Sequence, residues 1–302
     1  MYQEAIIVVF GRLLTAMVTP LNQQGEVDYK LTKQLVDYLI NNGTEGLVVS
    51  GTTGESPTLS KSEKLALFET VLEAANGRVP VVAGTGSYNT AETVALTKEV
   101  EQLGVEGVLL VSPYYNKPNQ KGLYEHFKKV AESVHTPIML YNVPGRTASN
   151  LEANTVIKLA EIDNIVCIKE ASGQLDQMAD IIERTPDDFV LYSGDDGLTL
   201  PILSIGGYGV VSVASHLIGK EMSQMIQSFS EGDLKQAAKW HRQLLPFMRQ
   251  LFAQPSPVPV KALLNKLGIQ VGGVRLPLVG LTDGEYAELN KVYDQLLENI
   301  NE

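Results

Sequence analysis

Ile165-Val-Cys-Ile-Lys169 is a short, almost continuous apolar run that closes on a charged residue. A run of this kind reads as a strand covered on both faces, because a half-exposed strand alternates apolar with polar. Seven similar runs accompany it: Leu13 to Val18, Gly46 to Ser50, Val79 to Ala83, Gly107 to Val111, Pro137 to Tyr141, Phe189 to Ser193 and Tyr208 to Val213. Between them apolar residues recur at helical spacing, as at Tyr29, Leu31, Leu35, Val36, Leu39 and Ile40, or Val94, Leu96, Val100 and Leu103. Strand then helix, eight times in about 230 residues, predicts an α/β protein whose parallel strands close into a (β/α)8 TIM barrel. An open doubly wound sheet is the alternative for the same alternation.

After Val213 the pattern is helical, with amphipathic stretches at Asp233 to Phe252, Val260 to Leu267 and Asp283 to Leu297. The loop Ala253-Gln-Pro-Ser-Pro-Val-Pro259 interrupts it, since successive prolines remove donors and hold the backbone extended. We therefore read residues 12–230 as the catalytic barrel and 231–302 as a C-terminal helical extension packed on it.

Bulk composition excludes several classes. The chain has 302 residues, 44% hydrophobic and 20% charged, and no apolar run long enough to span a bilayer. The net charge of −11 and scattered basic residues leave no positive stripe for nucleic acid. One cysteine, Cys167, precludes an internal disulfide. The opening MYQEAIIVVFGRLL has Glu4 where a signal peptide has a basic cluster, and reads as an irregular N-terminus. A cytoplasmic location is the expectation.

In a barrel the loops leaving the C-terminal strand ends form the active-site face. There lie Gly51-Thr-Thr-Gly-Glu-Ser56, Gly84-Thr-Gly-Ser87, Ser112-Pro-Tyr-Tyr-Asn116, Tyr141-Asn-Val-Pro-Gly-Arg146, Lys169-Glu-Ala-Ser172, Ser193-Gly-Asp-Asp196 and Ser212-Val-Ala-Ser215. Strict alternation puts Ile165, Cys167 and Lys169 on one face. If that face lines the barrel, an amine points into the site, and an apolar surround favours the neutral form that attacks carbonyls. The other reading is a lysine snorkelling from the rim or paired with Glu170. Tyr141 shares a phase with Met139 and can face the same interior, where a phenol, with Thr52 and Tyr115 as partners, could relay the protons of Schiff-base formation. It can equally be a buried residue with one satisfied hydroxyl, and Gly-Thr-Thr-Gly only a tight turn. Arg146, after Pro144-Gly145, suits a bidentate grip on a carboxylate, or else a surface salt bridge.

The histidines at 126, 135, 216 and 241 lack metal-ligand spacing, so no metal is expected. Gly84-Thr-Gly-Ser-Tyr-Asn89 lacks the third glycine of a dinucleotide loop, and Gly51 to Ser56 lacks the lysine of a P-loop. Pyridoxal phosphate would need a phosphate cup, which Asp195-Asp196 would repel.

Taken together, Gly51-Thr-Thr-Gly-Glu-Ser56, Pro113-Tyr-Tyr-Asn116, Tyr141-Asn-Val-Pro-Gly-Arg-Thr147, Ile168-Lys-Glu-Ala171 and Ser193-Gly-Asp-Asp196 resemble, in order and spacing, the dihydrodipicolinate synthase family of pyruvate-dependent Schiff-base aldolases and lyases. The likeness runs over about residues 12 to 295. It implies that Lys169 forms an imine with pyruvate while Tyr141, Thr52 and Tyr115 relay protons, Tyr115 crossing from a neighbouring subunit. Thr53 and the backbone near Val211 would hold the pyruvate carboxylate. Arg146 would bind the carboxylate of the second substrate, L-aspartate 4-semialdehyde, and Gly194 would add backbone contacts. The product would be 4-hydroxy-tetrahydrodipicolinate, in diaminopimelate and lysine biosynthesis, made without a cofactor by a homo-oligomer, dimer or homotetramer. Superfamily relatives such as N-acetylneuraminate lyase and the 2-keto-3-deoxy-sugar-acid aldolases share the lysine and the Tyr-x-x-Pro turn, and Arg146 favours the semialdehyde. A silent barrel that merely binds a 2-oxo acid is the remote alternative.

Lysine-inhibited members bind lysine at positions matching Ser56, Lys61, Lys64, Tyr88, Glu92 and Tyr114. Here Lys61 and Lys64 replace histidines, and Tyr88 an asparagine, of sensitive members. The added cation and bulk point to weak or absent lysine feedback.

Overall fold

The computed structural model describes residues 10–301; Met1 to Val9, most of the stretch expected to be irregular, lies outside them. Eight strands form: β1 (Leu13–Ala16), β2 (Gly46–Val49), β3 (Val81–Gly84), β4 (Gly107–Val111), β5 (Ile138–Asn142), β6 (Ile165–Glu170), β7 (Val190–Ser193) and β8 (Gly209–Ser212). Each falls on one of the eight apolar runs. All pair parallel in sequence order, and β8 pairs back onto β1, with Leu14 opposite Val211. That closure makes a barrel and rules out the open doubly wound sheet.

Around it lie α1 (Tyr29–Asn41), α2 (Lys61–Ala75), α3 (Thr90–Glu101), α4 (Gln120–Ala131), the short α5 (Pro144–Thr147), α6 (Ala153–Leu159), α7 (Leu175–Arg184), α8 (Thr199–Ser204) and α9 (Ser215–Ser230). Polar residues set their starts. Asp28 accepts from Leu31 N–H at 2.9 Å before α1, and Ser60 with Glu63 forms a reciprocal capping box on α2. The chain then adds α10 (Leu234–Gln250), α11 (Val258–Lys266) and α12 (Asp283–Asn301), with α10 and α11 packed on α9 and both touching α12. No helix among the described residues is long and apolar enough to cross a membrane.

Alternation along the strands splits the core in two. Leu14, Ala16, Val48, Val82, Leu109, Met139, Tyr141, Cys167, Tyr192 and Val211 fill the barrel, while Leu13, Leu47, Val49, Val108, Leu110, Leu140, Ile168 and Val210 pack outward against the helices. The expected alternation fails at one residue. Ile138 pairs with Ile165 but Met139 with Cys167, so a bulge leaves Val166 without a partner and sends Ile165 into the outer layer. Cys167 and Lys169 keep the inward phase.

The end of the barrel opposite the catalytic face is closed by the segment leading into β1. Phe10 is buried there; its N–H donates to Tyr192 Oη at 3.2 Å, and the Tyr192 hydroxyl donates to Gly11 O at 3.0 Å. Glycine begins β2, β4 and β8 because of this crossing. A Cβ at Gly46 would lie 2.5 Å from Phe10 O, one at Gly107 2.6 Å from the Phe10 ring, and one at Gly209 2.2 Å from Arg12 O.

Candidate active site

The residues singled out from the strand ends gather at the open end. Lys169, one residue short of the end of β6, lies opposite Tyr141 of β5 on one side and Tyr192 of β7 on the other. Its side chain is 5% exposed, so it does not snorkel from the rim, and its Nζ stands 4.2 Å from the centroid of the Tyr141 ring. Glu170 turns the opposite way. Its carboxylate accepts from Asn142 Nδ2 at 2.9 Å, Ser172 N–H at 2.6 Å and Gln177 Nε2 at 3.1 Å. Burial raises the pKa of that carboxyl, and these donors oppose the rise. Among the described residues Lys169 therefore has no ion-pair partner.

Above the amine opens a cavity of about 450 Å³ whose wall includes Thr52, Thr53, Tyr141, Arg146, Lys169, Gly194 and Val211. A neighbouring cavity of about 220 Å³ shares Thr52, Tyr141 and Arg146 and adds Ser56 and Tyr114. The cavity wall thus combines an amine, a phenol and two threonines. An exposed guanidinium stands at its mouth, carried on α5 directly after the strand that supplies Tyr141. Such a set can form a carbinolamine, move protons and anchor a carboxylate.

Gly194 has a steric reason. A Cβ there would lie 2.8 Å from Ala171 Cβ and 3.2 Å from Lys169 Cγ, so glycine is what lets the lysine stem pass. Val211 is buried in the wall, and the turn after β8 is fastened by Asp196, whose Oδ2 accepts from Val213 N–H at 3.1 Å and Ala214 N–H at 2.9 Å. Burial pushes the Asp196 carboxyl up to about 6. Its neighbour Asp195 lines the cavity, where it would oppose a phosphate.

Tyr115 is the candidate that this chain does not bring to the cavity. It is 89% exposed, with a left-handed backbone at φ 70, while its neighbour Tyr114 packs edge-on against Tyr88 with ring centroids 5.2 Å apart.

Sequence reading missed the far wall. Leu245, Met248, Arg249 and Phe252, from α10 and the turn that follows it, line the same cavity, as does Ser256. The Ser256 hydroxyl is buried with no hydrogen-bond partner among the described residues. These positions look like an ordinary amphipathic helix and its exit, and the proline-rich loop at 253–259 was the only local signal. Among the histidines, His216 is held by Val18 N–H on Nε2 at 3.1 Å and by Val213 O on Nδ1 at 2.8 Å. Burial pushes its pKa down to about 4. No group of three or more His, Cys, Asp or Glu side chains among the described residues is arranged to hold a metal.

A separate cavity of about 390 Å³ is lined by Lys61, Lys64, Thr85, Ser87 and Glu92. Lys61 pairs with Glu99 at 2.5 Å. Burial lowers the pKa of Lys64, against the pull of Glu92.

The profile of the Dihydrodipicolinate synthetase family matches residues 9–296. The chain is 61% identical over 279 residues to the 4-hydroxy-tetrahydrodipicolinate synthase 1 of Halalkalibacterium halodurans, covering 92% of this chain and 95% of that one. To the 4-hydroxy-tetrahydrodipicolinate synthase of Bacillus subtilis it is 55% identical over 288 residues, covering 95% and 99%. The crystal structure of dihydrodipicolinate synthase DapA-2 from Bacillus anthracis superposes with a TM-score of 0.93 at 53% identity, over 95% of this chain and 98% of that one. The enzyme from Cyanidioschyzon merolae, solved with lysine bound, gives 0.94 at 47% identity, again over 95% and 98%. A profile match over nearly the whole chain, relatives above 50% identity and the same closed barrel lead to one statement: the chain belongs to the dihydrodipicolinate synthetase family.

Proposed function

We propose that this chain is a lyase that condenses pyruvate with L-aspartate 4-semialdehyde to give 4-hydroxy-tetrahydrodipicolinate. The observation that carries the reading is the Lys169 amine, sunk in the cavity against the face of Tyr141 with no ion-pair partner among the described residues. Lys169 Nζ adds to C2 of pyruvate, and the carbinolamine loses water to leave an imine. Loss of a C3 proton gives the enamine, whose C3 attacks the aldehyde carbon of the second substrate. The amino group of that substrate then adds to C2 and displaces Lys169, closing the ring and freeing the amine. One water leaves per turnover.

In this reading Tyr141 and Thr52 pass the protons, joined by Tyr115 from a second copy of the chain, whose hydroxyl is free to reach across because the side chain projects outward. Thr53 and the backbone at Val211 hold the pyruvate carboxylate beside Gly194. Arg146 meets the carboxylate of the semialdehyde. Residues 231–302 act with the barrel 12–230 as one unit, because α10 walls the cavity. The enzyme works in the cytoplasm as a homo-oligomer and needs no cofactor. Lysine regulation is weak or absent, since Lys61 and Lys64 already bring two amines to the cavity where a lysine ligand would place a third. Sub-millimolar lysine is expected to leave the initial rate unchanged.

The test is product formation from the two substrates by wild type and Lys169→Ala. Wild type should turn over, and the variant should lose roughly three orders of magnitude or more, since no other group replaces the nucleophile. Borohydride with pyruvate should leave a stable adduct on Lys169 alone. A folded wild type that traps pyruvate yet ignores the semialdehyde would move the reading to longer sugar-acid aldehydes.

A further inference from the structure

The Thr52-Thr53 turn is held from the far end of the chain. It is bracketed by two non-glycine residues with left-handed backbone, Ser50 at φ 54 and Glu55 at φ 57. Such backbone persists only where the surroundings over-determine it. At Glu55 they do. Lys261 of α11 sends its Nζ 2.9 Å to Glu55 Oε1 and 2.9 Å to Thr19 O, and both charged side chains are 2% exposed. The other carboxylate oxygen accepts from Arg275 N–H at 2.9 Å. Thr19 Oγ1 in turn donates to Gly54 O at 2.7 Å. The backbone on the C-terminal side of the two threonines is thereby fastened to the segment after β1, to α11 and to the chain at Arg275.

A fully buried ion pair is a poor device for stability, because taking two charges out of water offsets most of their attraction. Burial pulls the Lys261 pKa down, and Glu55 counters that pull. What the pair does achieve is a single geometry, since each charge is left uncompensated in any other arrangement. The loop it fixes is the one carrying two of the cavity's hydroxyls. Arg249, Phe252 and Ser256, on the way to α11, wall that same cavity.

We propose that Glu55 and Lys261 are positioning residues, whose buried ion pair sets the Thr52 and Thr53 hydroxyls over Lys169 and makes the C-terminal extension a working part of the site. This rests on the roles given to the two threonines in the preceding subsection. Neither charged group touches the reacting atoms.

The experiment measures the pyruvate concentration that half-saturates borohydride trapping on Lys169, together with kcat and KM, for wild type, Glu55→Gln, Lys261→Met and the double variant. With the turn released, half-saturating pyruvate should rise and turnover should fall, together by about 10- to 100-fold in kcat/KM at an assay temperature well below unfolding. A merely structural pair would lower Tm and leave half-saturation per folded site where it was. Unchanged values in variants that fold, beside a wild type that traps pyruvate, would overturn the positioning role alone. A wild type that traps no pyruvate would overturn the functional reading and the proposal with it. Glu55→Asp keeps both buried charges and a residue type that tolerates left-handed backbone while drawing the carboxylate a methylene away from Lys261, so it answers even if the charge-removing variants do not fold. It should raise half-saturating pyruvate roughly threefold, and no change there overturns the proposal.

Discussion

Lys169 stands out in the sequence because a charge closing an apolar strand is costly unless it serves a purpose. Its phase is readable too, since Tyr141 and Lys169 each keep the parity of an inward neighbour, Met139 and Cys167. Gly194 carries the sharper residue-scale prediction. In Gly194→Ala the new methyl meets Ala171 and the lysine stem within 3.2 Å, and both sit on backbone that the barrel holds rigid. The amine must shift, and trapping of pyruvate should slow by about 100-fold while the far-UV circular dichroism stays that of wild type. Trapping at the wild-type rate would show that the lysine is not confined by this contact. The phase of Ile165, by contrast, is not legible in the sequence, because a bulge leaves no mark in a run where every residue is apolar.

Elements are legible where their periodicity is strong and their cap polar, as in α1, and the eight strands lie on the eight apolar runs. What a window of sequence cannot show is an element tied to another far along the chain. Arg275 is such a tie. Its guanidinium forms an ion pair with Glu63 in the first turn of α2 and donates to Thr58 O at 2.7 Å. The hydrogen bond from Arg275 is the largest cause that brings the Glu63 carboxyl down from its ordinary 4.5 to about 2. A depressed carboxylate contributes stability that is fully present above the unfolded value and is lost as pH falls through the folded one. The contribution should therefore hold above about pH 4.5 and drain away toward pH 2. With the pair partly exposed, it is on the order of 1–2 kcal/mol. Urea unfolding of wild type and Glu63→Gln should differ by that amount at pH 7 and converge near pH 2; a constant difference across the range would show that the pair is not its source.

At the scale of the molecule, this single chain leaves one expected participant outside its own cavity. Tyr115 projects 89% exposed from a left-handed turn. If it serves a second copy's site, dilution to monomer should cut specific activity together with the sedimentation coefficient, and Tyr115→Phe should lower turnover about 10- to 100-fold without dissociating the oligomer. A monomer of full activity would remove Tyr115 from the relay. The sequence by itself determined eight doubly covered strands alternating with helices, through runs whose apolar content left no solvent face, and marked the strand-end residues, through polarity that a core cannot absorb unpaired; between a closed barrel and an open sheet it was the pairing of β8 with β1 that decided. The tertiary structure alone decided that Phe10 closes the floor, that α10 walls the cavity, and that Glu55 is paired with a lysine more than two hundred residues away. The physical reason is one of range. Periodicity and turn chemistry act over a few residues, whereas burial of a charge is settled by whichever distant group the closed barrel brings beside it.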